Sequence, residues 1–216
     1  MRLADQIDWV RHRLLDTEKV DFPDDGRIIS ALNVGAWQVQ KSVMKVAPDV
    51  FRRHTFRNLE VDKYRYRLPR GHIRMKQVFV NYGHGGGEIE ALPGMEMLIE
   101  RGRYGSELRY VTTGGELVIS VKPDVSVEDG IHLLEVPMLS MAAEDDDLED
   151  QGLSASLHMG VVLWAVKLLT PEGGEANKDL DAEIISVLAD IPTCYGMAGA
   201  GEPIEVEGTG LGLGDE

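Results

Sequence analysis

The spacing of apolar residues changes twice along this chain, and that change restricts its fold more than any other feature. Up to residue 50 apolar residues recur every three or four positions, between residues 51 and 140 they alternate with polar ones, and beyond residue 141 the longer spacing returns. The longer spacing predicts amphipathic helices, and the alternation predicts half-buried strands. Because strands follow strands, we expect an α+β fold: a helical bundle formed by the N- and C-terminal helices, with an inserted antiparallel β block and a flexible C-terminal tail.

Proline residues mark the ends of the predicted helices. The first helix starts near Leu3 and ends near Asp16, and the second ends before Pro48, whose ring and missing N–H oppose another turn. The third runs from about residue 157 to the break at Pro171, and Pro192 stops the fourth. We therefore divide the chain into N-terminal helices (1–50), a β-rich insertion (51–140), C-terminal helices (141–192) and a Gly-rich acidic tail (193–216).

Charge is unevenly distributed along a chain whose net charge is −15. Residues 52–76 hold nine arginines and lysines against two acidic residues, six of the seven residues in 144–150 are acidic, and the last 24 residues contain no lysine or arginine. The net charge argues against wrapping nucleic acid as the main task. The segregation favours oriented contact between copies or with partners, since complementary patches set register. The alternative is that these charged segments are solvated surface and make no specific contact.

Two general features narrow the class of protein. The single cysteine, Cys194, excludes an intrachain disulfide framework and is compatible with a reducing compartment. No segment approaches the roughly 18 consecutive apolar residues of a membrane-spanning helix, and the N-terminus lacks the apolar region of a signal peptide. We therefore expect no membrane association and a location in the cytoplasm, or in a particle assembled there.

Short motifs that could carry chemistry are incomplete. The string starting at His84, His-Gly-Gly-Gly, matches an oxyanion-hole loop of some esterases, but the Gly-x-Ser-x-Gly nucleophile elbow is absent from the sequence. Asp145, Asp147 and Glu149 alternate as in a calcium loop, but Asp150 occupies the position that requires glycine. We predict no catalytic, cofactor or metal site. A hydrolase that uses the His84 loop is a less favoured alternative.

Several short segments are informative when they are taken together. They are Leu3-Ala4-Asp5-Gln6-Ile7, Val10-Arg11, Leu14-Leu15-Asp16-Thr17, Phe22-Pro23-Asp24, Leu32-Asn33-x-Gly35, Leu68-Pro69-Arg70-Gly71-His72-Ile73-Arg74, Gly115-Glu116-Leu117-Val118-Ile119 and Lys122-Pro123. These segments resemble those of tailed-bacteriophage head-to-tail adaptor proteins, also called connector or head-completion proteins. The resemblance covers residues 1–192 and departs in two places: Phe22 stands where the family commonly has tryptophan, and the acidic run and glycine-rich tail are particular to this chain.

This resemblance implies a structural virion protein at the head–tail junction, assembled in the host cytoplasm. Family members form a dodecameric ring on the portal protein, extend the DNA channel and present a surface to the tail or the next neck protein. DNA would pass through without sequence-specific binding. Because C-terminal segments of the family commonly reach onto the portal, the resemblance predicts portal contacts in the tail. The predicted residues are Tyr195, Met197, Pro203, Ile204, Val206, Leu211 and Leu213.

Contacts between copies or with partners are predicted elsewhere in the chain. Trp9 lies off the apolar stripe of the first helix, and tryptophan is enriched at interface hot spots. Channel carboxylates would repel DNA, while the basic block would face an acidic partner or the acidic run of the adjacent copy. The predicted charged contacts are Arg65, Arg67, Arg70, Asp145, Asp146 and Asp147. A non-viral scaffold or binding module that acts through the tail stays open as an alternative.

Overall fold

The computed structural model describes residues 1–69, 71–83, 88–94, 107–171 and 175–195. The chain divides into two compact units. The first, the helical unit, comprises Met1–Val50 and the chain from Leu139 onwards, and the second, the β unit, is Phe51–Met138. The fold contains helices together with a seven-stranded sheet, so the predicted α+β class is confirmed.

The helical unit is organised around one buried helix. The helices are α1 (Leu3–Leu14), α2 (Gly26–Val46), α3 (His158–Leu169), α4 (Glu175–Leu188) and α5 (Ile191–Cys194), with a 3-10 turn at Ala155–Leu157. Apolar residues occupy most of α3, and its residues from Gly160 to Val166 are all buried, as expected for a helix that is hydrophobic all round. This helix packs against α1, α2 and α4.

Helices α2 and α3 approach each other closely at Gly35. A Cβ atom on Gly35 would lie 2.6 Å from the carbonyl oxygen of Val161 and 3.1 Å from the Cβ of Trp164. Real Cβ atoms essentially never come within 3.0 Å of another heavy atom in this way. Glycine at position 35 therefore lets the two helices pack at their observed distance.

A buried ion pair holds the loop that joins α1 to α2. The Arg11 guanidinium is almost fully buried and donates from Nη1 to Asp16 Oδ2 at 2.8 Å and from Nε to Asp25 Oδ1 at 3.2 Å. Asp16 also accepts hydrogen bonds from the backbone N–H groups of Asp21 and Phe22. Burial would raise the pKa of Asp16, but these backbone donors and Arg11 together hold it below its usual range.

The end of the helical unit differs from the predicted boundary. Pro192 does not close α4, which ends at Leu188, but stands in the first turn of α5. Proline is tolerated there because the first helical N–H groups have no partner inside the helix. Thr193 and Cys194, which the sequence assigned to the tail, belong to this helical turn.

The β unit is one curled seven-stranded sheet. Its strands are β1 (Arg53–Leu59), β2 (Arg65–Arg67), β3 (His72–Asn81), β4 (Glu88–Pro93), β5 (Arg109–Thr113), β6 (Glu116–Ile119) and β7 (Val127–Pro137). Their order in the sheet is β1-β7-β3-β4-β5-β6-β2, and residues 60–64 join the end strands β1 and β2. Buried residues from both ends of that order, among them Leu59 of β1 and Tyr66 of β2, belong to one hydrophobic core.

One strand pairing corrects the predicted antiparallel block. Strands β4 and β5 pair in parallel, with Leu92 opposite Arg109, whereas the other described pairings are antiparallel. Parallel neighbours need a connection of about a dozen residues or more, since the chain must return to the end where it started. Residues 94–108 supply that length, so the antiparallel prediction was wrong at this point.

Candidate interaction surfaces

A cleft lies between the two end strands of the β unit. Strands β1 and β2 stand at opposite ends of the strand order, and neither pairs on its second side with a strand of the described sheet. The space between them is about 560 Å³ and is lined by residues 56–58, 60, 63 and 66–69. We call this space the edge cleft. Its position leaves strand edges facing it, and such edges readily accept another strand.

The edge cleft carries more positive than negative charge. Its lining contains Arg57, Lys63 and Arg67 against one carboxylate, Glu60. Lys63 donates a hydrogen bond to Glu60, which neutralises that pair. Arg67 is exposed and forms no ion pair with another residue in the part of the chain that the structure describes. The cleft can therefore accept an anionic group from outside the chain.

The other two arginines among the predicted charged contacts are Arg65 and Arg70. Arg65 lies 3.3 Å from a carboxylate oxygen of Glu116 and above the ring of Tyr64, so its charge is partly neutralised within its own chain. Arg70 lies outside the described residues. Of this predicted group, Arg67 presents an exposed guanidinium at the cleft.

A row of aromatic rings lies beside the edge cleft. Phe56 is 46% exposed and stacks on His132 with ring centroids 4.6 Å apart, and Phe79 lies on the other side of His132 at 5.4 Å. The Nδ1 atom of His54 lies 2.7 Å from Nε2 of His132. The sequence did not predict this row, because only the registers of β1, β7 and β3 bring the three rings together.

A buried carboxylate lies in the same sheet. Glu135 on β7 is fully buried and accepts hydrogen bonds from Thr55 Oγ1 and His72 Nδ1, both at 2.8 Å, and from Arg53 at 3.3 Å. Burial alone would raise the pKa of Glu135, but the hydrogen bonds from His72, Thr55 and Arg53 outweigh it and hold the pKa below its usual range. Since both carboxylate oxygens already accept hydrogen bonds, we assign this cluster a structural role.

The acidic run at residues 144–150 forms a loop of the helical unit. Two of its carboxylates are bonded to groups of the same chain. Asp146 Oδ2 accepts the N–H groups of Ala142 and Ala143 at 2.6 and 2.8 Å, and these bonds hold the pKa of Asp146 below its usual range. Asp147 Oδ2 lies 2.9 Å from the N-terminal ammonium of Met1, and the N–H of Leu3 donates to Asp146 O. These two predicted contact residues therefore hold the start of α1 in place.

The remaining carboxylates of this loop face solvent. They are Glu144, Asp145, Glu149 and Asp150, and all four are exposed. No group of three or more metal-ligating side chains that could hold an ion is found within the residues that the structure describes. The loop thus presents an acidic surface on the helical unit, and we refer to it as the acidic loop.

Trp9 lies on the exposed side of α1. It is 43% exposed, its ring meets that of His12 edge to face with centroids 6.3 Å apart, and together with Asp8 the two residues line a shallow depression of about 240 Å³. A large aromatic side chain in this position offers area that a partner could bury. The contact that the sequence predicted for Trp9 stays a prediction.

Most of the predicted tail contacts fall outside the described residues. Tyr195 is described, and its hydroxyl lies 3.2 Å from Gly152 O and 3.0 Å from the N–H of Ser154, so this side chain ties the end of α5 to residues 152–154. Burial raises the pKa of Tyr195. The other predicted tail contacts lie outside the described ranges, as His84 does; they are Met197, Pro203, Ile204, Val206, Leu211 and Leu213.

No protein-family model matches this chain, and no curated protein matches it. Among the described helices, none is both long and apolar enough to cross a membrane. The surfaces of the two units, together with the sequence resemblance, are therefore the basis for inferring a function.

Proposed function

We propose that this chain is a structural virion protein, a head-to-tail adaptor whose copies form a ring on the portal. The ring would extend the DNA channel and provide the attachment surface for the tail or the next neck component. The observation that supports this proposal is the separation of exposed charge between the two units. The acidic loop lies on the helical unit, and the basic edge cleft lies on the β unit.

This separation suits a ring with a DNA channel. Exposed carboxylates that face a channel repel the phosphate backbone, so DNA slides through without binding. A basic cleft on a different unit can bind an acidic segment of the adjacent copy. Such a contact joins two different surfaces, and a contact of that kind closes into a ring when the rotation between copies permits.

In this arrangement the acidic loop faces the channel and Arg67 faces the neighbouring copy. No side chain has a catalytic task in this function. The repulsion comes from Glu144, Asp145, Glu149 and Asp150, because Asp146 and Asp147 are bonded within the chain.

The decisive experiment is cryo-electron microscopy of the full chain mixed with its own portal protein. We expect a ring of copies seated coaxially on the portal with an open central hole, and the image gives the number of copies directly. If the two proteins stay separate at the highest attainable concentration and no ring forms, the adaptor proposal fails.

Charge variants then assign the two surfaces. Arg67→Glu should weaken ring formation, whereas Lys45→Glu, the same change of charge at an exposed position of α2, should leave it unchanged. Asp145→Lys combined with Asp150→Lys should leave the ring intact but cause the ring to bind duplex DNA in a salt-dependent manner. If the lysine variant loses the ring while DNA binding is unaltered, the channel assignment is wrong.

A further inference from the structure

We propose that the edge cleft of the β unit binds residues 202–207 of the chain's own C-terminal segment as an added β-strand. This inference names the acidic partner of the basic cleft, and it rests on the proposed ring function. The segment would come from a neighbouring copy in the ring. It would thereby join the C-terminal end of one copy to the sheet of the next.

The backbone of the cleft is suited to strand addition. Because β1 and β2 are the end strands, each has one side without a partner strand in the described sheet. An extended peptide placed along such an edge gains backbone hydrogen bonds, and its side chains determine specificity. The seven residues of β1 are long enough to pair with a segment of six.

The walls of the cleft determine which side chains such a peptide should carry. Phe56 is 46% exposed and supplies apolar surface beside the cations Arg57 and Arg67, whereas Tyr66 and Leu68 line the cleft but are largely buried in the core. Successive side chains of a strand point to opposite faces. A strand that alternates apolar residues with carboxylates therefore fits a cleft whose walls offer both.

Residues 202–207, Glu-Pro-Ile-Glu-Val-Glu, have this alternation. Ile204 and Val206 are β-branched and favour strands, and Glu205 and Glu207 alternate with them. Pro203 stands near the start, where a strand tolerates proline. Among the segments outside the described ranges, this is the one that alternates β-branched residues with carboxylates, and no lysine or arginine follows it.

Hydrogen–deuterium exchange on the full chain tests the proposal directly. In the ring formed on the portal, we expect the amides of residues 204–207 to exchange at least about tenfold more slowly than those of an unstructured chain. The double change Glu205→Lys and Glu207→Lys should remove that protection, and so should Arg67→Glu. Combining Arg67→Glu with the two lysine changes should restore it at least in part, because the charges are again opposite.

A matched control separates this contact from a general effect of tail charge. Asp215→Lys with Glu216→Lys makes the same change of charge outside the segment and should leave the protection unchanged. Equal loss of protection in this control overturns the proposal. Protection that rises with protein concentration in the absence of portal identifies the neighbour's segment, whereas protection independent of concentration overturns the assignment to a neighbouring copy.

The tail could instead serve the portal, as the family resemblance implies, and the same measurements show this. If protection at 204–207 in the ring survives Arg67→Glu, but the chain without residues 196–216 no longer binds the portal, the cleft is not the binding site. A ring that forms on the portal with residues 204–207 unprotected refutes this inference and leaves the adaptor proposal standing. Concentration-dependent protection that Arg67→Glu abolishes, in a chain that never joins the portal, refutes the adaptor proposal alone.

Discussion

Replacing Gly35 with alanine should destabilise the helical unit through a single steric contact. The added Cβ would lie 2.6 Å from the carbonyl oxygen of Val161, and ordinary contact begins at 3.4 Å, so α2 and α3 have to separate locally by roughly 0.8 Å. Overpacking of this kind costs about 1–3 kcal/mol, and the upper end applies because the opposing atom is backbone and cannot rotate away. The better helix propensity of alanine stabilises the folded variant by about 1 kcal/mol and offsets part of this cost. We expect a net loss of about 2 kcal/mol.

Gly160→Ala is the matched control in the facing helix. A Cβ at this position would lie 3.3 Å from Cγ1 of Val187 and 3.5 Å from Cγ2 of Val39, and both neighbours are methyl groups that can shift. The same gain in helix propensity then offsets a smaller steric cost. We expect a change of free energy within about 1 kcal/mol of zero.

Urea unfolding monitored by tryptophan fluorescence measures both variants, because Trp37 lies in α2 and Trp164 in α3. For Gly35→Ala the unfolding midpoint should fall by about 1 M with an unchanged slope. A Gly35→Ala variant as stable as the wild type would show that the helices can separate without cost. Equal destabilisation by Gly160→Ala would show that the loss does not arise at the Val161 carbonyl.

Two further predictions concern the β unit and α1. Glu135→Gln should cost about 2 kcal/mol at pH 7, since the buried carboxylate loses charge-assisted hydrogen bonds. Because the folded pKa of Glu135 is lowered, the wild type's advantage should be complete above its ordinary value of 4.5 and disappear as the pH falls below it; a difference in unfolding free energy that is constant from pH 7 to pH 3 contradicts this. Trp9→Ala should change the unfolding free energy by less than about 1 kcal/mol but weaken binding of the ring to its portal at least about tenfold. Ile185 is a comparably exposed residue of α4, so Ile185→Ala is the control. An equal loss of portal binding in this variant would show that the loss is not specific to Trp9.

Local patterns predicted much of the fold because they depend on neighbouring residues only. The helical spacing located α1 and α2, and the second helix ends at Val46, just before Pro48, as proline chemistry requires. The alternation around β2 also held: Tyr66 is buried and Arg67 is exposed. Each of these features is decided within a few residues of chain.

Local patterns could not predict which polar and aromatic side chains contact each other. Phe56 meets His132, and Glu135 meets Thr55 and His72, across 60 to 80 residues of sequence. Strand register sets these contacts, and register is decided by packing of the whole sheet. The parallel pairing of β4 with β5 arose in the same way.

The acidic run separates the contributions of sequence and tertiary structure within one segment. The sequence by itself determined that the six carboxylates of residues 144–150 lie at a surface, because an unpaired carboxylate is costly to bury. Asp146 is occupied locally, because its carboxylate accepts the N–H groups of Ala142 and Ala143, three and four residues before it. Only the tertiary structure decided that Asp147 is occupied as well, because the fold brings the N-terminal ammonium of Met1 against it, whereas Asp145 is left exposed to solvent.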